Sequence, residues 1–139
     1  MRTKTWFTIA AGLALILVVS FAVPVSAHHS FSAQFDRSKP ITLTGPVTKI
    51  DWINPHARFF VDAKDASGTV ANWEIELGAT AILLRNGWTR TSLKIGDVVT
   101  VNASLAKDGS KVANASTVTL STGKRILAGS SGGDGSPTP

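Results

Sequence analysis

Histidine is the residue type with the most chemistry to offer here. The chain has three, and two of them, His28 and His29, are adjacent. The third, His56, follows Asn54 and Pro55. Were the chain cut after Ala27, His28 would carry a free α-amine beside its own imidazole. Those two nitrogens chelate one metal ion, and a third from His56 or His29 completes a donor set that favours Cu(II). Copper is thus the cofactor that these residues point to. The plain alternatives are a solvated chain end and a hydrogen-bonded loop histidine. The copper reading holds only if the fold brings His56 to the N-terminus.

Other chemistry is narrower. With no cysteine, thiol chemistry and cysteine metal sites are excluded. Glu74 and Glu76 alternate onto the outer face of strand three, where paired carboxylates can act on glycosides, but no neighbouring apolar pocket raises either pKa. A solvated strand face accounts for them. No nucleophile elbow surrounds Ser30 or Ser32, and no glycine-rich loop joins a strand to a helix, so hydrolase and nucleotide chemistry lack support. Phe60 stands in phase with Arg58, Asp62 and Lys64 on a polar face, where it can stack on a ring or sugar; packing beneath the segment from Phe31 to Phe35 explains it equally. With Trp52 and Asn54 at the end of strand one, Phe60 and Arg58 make the candidate ligand-binding set.

These residues need positioning, and the ends of the chain bound what can do it. Arg2 and Lys4, the apolar run from Ile9 to Val19, and the small residues Val25 and Ala27 have the layout of a secretory signal peptide over residues 1–27. The run is shorter than the roughly 20 residues of a membrane span, so no membrane association is expected after cleavage. The mature chain of about 110 residues suits one domain, residues 28–128. Residues 129–139 are mostly Gly, Ser, Pro and Thr and read as a disordered tail. Losing Arg2 and Lys4 lowers the net charge from +5 to about +3, too little to argue for nucleic acid. The expected location is the periplasm or beyond.

Within that domain the apolar period is two, with turn residues between the runs. Strand one runs from Ile41 to Trp52, long and bent at Gly45-Pro46. Strand two covers Ala57 to Lys64 and strand three Ala71 to Leu77, with Phe59, Val61, Trp73 and Ile75 inside. A short helix follows, with Thr80 as its N-cap and Gly87 just past its end. Strand four then holds Val99 and Val101 inside, and strand five runs from Val112 to Leu120 after the turn Lys107 to Ser110. The expected fold is mainly β: a small five-stranded antiparallel barrel of oligonucleotide/oligosaccharide-binding (OB) type, with one helix between strands three and four. Such barrels bind ligands across strands two and three, between the loops joining strands one to two and four to five. Twelve residues of strand span about 40 Å, so the segment from His28 to Lys39 must run back along the barrel for His28 to meet His56.

His28-His29-Ser30-Phe31, Asn54-Pro55-His56-Ala57, Gly87-Trp88-Thr89-Arg90 and Gly96-Asp97 together resemble a family of exported bacterial proteins defined by a domain of unknown function. The resemblance spans His28 to about Gly129 and implies export and a small β-barrel. Arg58 stands where that pattern leads one to expect an aromatic residue. The leading functional expectation is a binding module for a small ligand. Copper binding through His28 with His56 or His29 is the alternative, and a structural or interaction protein the third.

Overall fold

The computed structural model describes residues 31–64 and 67–129. Helix α1 (Phe31–Gln34) leads into β1 (Phe35–Asp51), β2 (Arg58–Lys64) and β3 (Val70–Glu76). Helix α2 (Thr80–Arg85) precedes β4 (Val98–Ala106), β5 (Val112–Thr119) and β6 (Arg125–Leu127). The molecule is mainly β, as its period of two requires. One helix lies between the third and fourth strands. Short α1 and β6 are additions to the expected five-strand pattern; Val118 and Ile126 pair across β5 and β6.

The strands are hydrogen-bonded in the order β3-β2-β1-β4-β5-β6, and β3 also pairs in parallel with β5. That last pairing closes a circuit of five strands. Phe59, Val61, Trp73, Ile75, Val99 and Val101 all point inward and are at most 3% exposed. β1 starts at Phe35 rather than Ile41, because Phe35 and Asp36 pair with Ala106 and Leu105 before the register slips ahead of Pro40. Gly45 and Pro46, where a bend was expected, pair in regular register with Val99 and Val98 on β4. Gly45 passes so close to β2 that an added Cβ would meet the Asp62 carbonyl oxygen at 1.9 Å, and the β1–β2 register shifts between Val47 and Lys49.

The stagger of the circuit decides which residues of β1 are linked around the wall. From Asp51 one step across the sheet reaches Arg58, the next Glu76, then Asn114, then Ser104, and the fifth returns to β1 at Pro40. Closing a sheet of tilted strands imposes such a displacement along the starting strand. Pro40 and Asp51 of β1 are therefore linked around the wall in one belt of paired residues. Phe31 and Phe35 stack with ring centroids 5.6 Å apart and form a small cluster with Ala106, against which Val112 packs. Lys107 holds the same segment through its Nζ, which donates to the Ser32 carbonyl at 2.6 Å.

Candidate functional site

Two groupings gather around the loop between β1 and β2. The first is polar. Arg58 and Glu76 are cross-strand partners on β2 and β3, and Glu76 is in turn opposite Asn114 on β5. Asn114 Nδ2 donates to Glu76 Oε1 at 3.0 Å. His56 Nδ1 approaches that same oxygen at 3.5 Å. Arg58 lies between the two carboxylates, with one guanidinium nitrogen 3.1 Å from Glu74 Oε1 and the other 4.0 Å from Glu76 Oε2. The loop between β4 and β5 reaches the same place, since the Glu74 N–H donates to the Lys111 carbonyl at 2.9 Å.

Glu76 differs from the solvated residue that its strand phase suggests. It is 4% exposed, because the β3–β5 pairing lays a neighbouring strand along what would have been an open edge. A buried carboxylate is tolerated only with charged or hydrogen-bonding partners, and Asn114 and Arg58 supply them. His56 keeps 24% of its side chain exposed. With its Nδ1 turned to the carboxylate, its Nε2 is the nitrogen left to meet a ligand.

The second grouping is an apolar pocket at the barrel mouth, lined by Ile50, Trp52, Phe59, Leu77, Trp88 and Leu93, with Arg58, Thr89 and Arg90 around it. Its empty space, including the open mouth, is about 250 Å³. Trp88 is buried and its indole N–H donates to the Leu127 carbonyl at 2.8 Å, so β6 fixes this wall. Trp52 remains half-buried.

The predicted ligand set is thus divided. Trp52 and Arg58 meet in the pocket. Asn54 instead serves helix α2: its Oδ1 accepts from the Thr80 hydroxyl at 2.9 Å and from the Thr80 N–H at 3.3 Å. Thr80 is the first helical residue, not the N-cap, which is Ala79 without a capping side chain. Asn54 fills that role from another loop. Phe60 lies under Lys49, whose Nζ is 4.9 Å from the ring centroid, while Phe31 and Phe35 pack elsewhere. His28 and His29 lie outside the described residues. Among the described residues no three His, Asp or Glu side chains are grouped to hold a metal ion, and no helix is long and apolar enough to cross a membrane.

Two clear pKa shifts fall outside both groupings. Asp36 and Asp108 lie below the ordinary carboxylate value because the Ser38 and Ser110 hydroxyls, and then their N–H groups, donate to the charged form.

A family model matches residues 14–115, most of the described domain and part of the segment before it. The chain belongs to a family of unknown function (DUF6152). Both groupings in this DUF6152 chain lie almost wholly within the matched residues, with β6 beyond them. Neither a curated protein nor a solved structure matches the chain significantly.

Sequence reasoning missed Trp88 and Arg90 as pocket residues and Glu76 with Asn114 as a buried pair. Both Trp88 and Arg90 lie in the Gly87-Trp88-Thr89-Arg90 motif, which is the signal that could have found them. Asn114 was the other, since asparagine is disfavoured within strands unless its amide is used.

Proposed function

We propose that the mature protein is an exported, periplasmic binding module that holds a small ligand in the pocket at the barrel mouth. The observation that carries this reading is the placing of two tryptophans, Trp52 and Trp88, around one apolar hollow bordered by Arg58 and Arg90. Ligand sites are typically mostly apolar, with a few polar groups that set orientation. Here the apolar walls suit a ring and the guanidiniums suit an acidic substituent, which a planar fork of donors binds in two-point fashion. The enclosed space is small, about 10 Å³, so the ligand would lie in the open mouth, as a single ring with a carboxylate can. The leader of residues 1–27 supports the location.

The test has two parts. Intact-mass measurement of exported protein is expected to show a chain beginning at His28. Aromatic acids such as benzoate and indole-3-carboxylate, titrated into labelled protein, are expected to shift the NMR signals of the Trp52 indole, Thr89 and Leu93. Acids that bind elsewhere, or none that bind, reject the pocket.

A further inference from the structure

We propose that Arg90 is the residue that selects an acidic ligand at the barrel mouth, while Arg58, the other guanidinium there, serves the wall as counter-ion to Glu74 and Glu76. The inference rests on the pocket reading above and deepens it. The ligand is a ring with one carboxylate, and its acid is read by a single arginine carried on the turn of residues 89–92.

Arg58 is already committed. One of its terminal nitrogens is 3.1 Å from Glu74 Oε1 and the other 4.0 Å from Glu76 Oε2. Glu76 is 4% exposed, and a buried carboxylate that loses its cationic partner is left with an uncompensated charge. To turn its fork of donors towards a ligand, Arg58 would have to leave both carboxylates. With two acids facing one guanidinium, this part of the rim also offers an anion no surplus positive charge.

Arg90 is placed differently. It borders the same pocket, is exposed, and pairs with no carboxylate among the described residues. Its backbone is nonetheless fixed from both sides. Trp88 is 2% exposed and its N–H donates to the Leu83 carbonyl at 3.0 Å, while Leu93 on the far side is 6% exposed. Between those anchors the Thr89 N–H donates to Ser92 Oγ at 2.8 Å, and the Ser92 N–H to the Thr89 carbonyl at 3.1 Å. The turn thus holds Arg90 at the rim of the hollow that Trp52 and Trp88 line. A fixed backbone leaves only the side chain to be ordered on binding, and a guanidinium grips a carboxylate through two parallel N–H···O bonds. A ring against the apolar wall can keep its carboxylate at this exposed rim, where the acid is never buried without a partner.

The probes are benzoate and benzamide, which share a ring and differ in charge, titrated into the whole protein and followed by the NMR signals of the Trp52 indole, Thr89 and Leu93. The parent is expected to prefer benzoate about tenfold, the effect of one charge-assisted two-point contact. Arg90→Gln should weaken benzoate by about that factor and bring the ratio close to one; Arg90→Lys, which keeps the charge and loses the fork, should fall between. Arg58→Lys disturbs the wall and should weaken both probes alike, so that their ratio stays near the parent's. Arg85→Gln removes an equal charge from the last turn of α2 and should leave the ratio unchanged. Equal affinity of the parent for both probes, a preference that survives in Arg90→Gln, one that collapses in Arg58→Lys, or one that falls as far in Arg85→Gln, each overturns the assignment to Arg90 and leaves the pocket reading standing, because the ring still binds there. If neither probe shifts those signals, the pocket reading fails and this inference with it.

Discussion

The two faces of β3 are governed by different parts of the molecule. Trp73 and Ile75 face inward among residues from every strand of the circuit, and any fold that buries one face of this strand would bury them. Glu74 and Glu76 face outward, two residues apart and with the same phase, yet one is half-buried beside a half-buried arginine and the other is nearly sealed. β5 pairs with both positions, setting Val112 opposite Glu74 and Asn114 opposite Glu76; the Asn114 amide, His56 and Arg58 then close around the Glu76 carboxylate. Alternation sorts residues into faces; the groups around each one decide how much water it sees.

The comparison breaks first if the inner face is not what holds the barrel together. Trp73→Ala is expected to destabilise by about 3 to 5 kcal/mol, the range for truncating a buried large aromatic. Its indole nitrogen has no hydrogen-bond partner among the described residues, so Trp73→Phe should cost far less. Denaturant unfolding measures both, and a near-neutral Trp73→Ala would show that this strand face is not core.

An intermediate effect is expected at Asn114. Asn114→Ala removes a donor from a buried carboxylate and should cost about 1 to 3 kcal/mol. If Glu76→Gln in the same background restores stability in a thermal melt, the loss belongs to the uncompensated charge rather than to packing. Failure of that rescue would return Glu76 to the status of an ordinary surface residue.

Glu74→Ala should have the smallest effect. Its partner Arg58 is 43% exposed, and exposed ion pairs contribute about 0 to 1 kcal/mol. A loss as large as that of Asn114→Ala would erase the distinction between the two glutamates.

What the sequence by itself determined was the class of fold and the inward set. Period-two runs between Ile41 and Leu120 give strands; Phe59, Val61, Trp73, Ile75, Val99 and Val101 share inward phases because successive side chains in a strand alternate. The helix stop ahead of Gly87 was likewise legible, since glycine takes the positive φ that follows a helix end. Tertiary structure alone decided the rest, because each remaining feature depends on residues distant in sequence and on the stagger of a closed sheet. Burial of Glu76 requires β5 beside β3. The meeting of Trp52 with Trp88, and the capture of Thr80 by Asn54, require loops brought together at one rim. Above all, the return of the circuit from Asp51 to Pro40 is set by strand tilt, which no local pattern encodes.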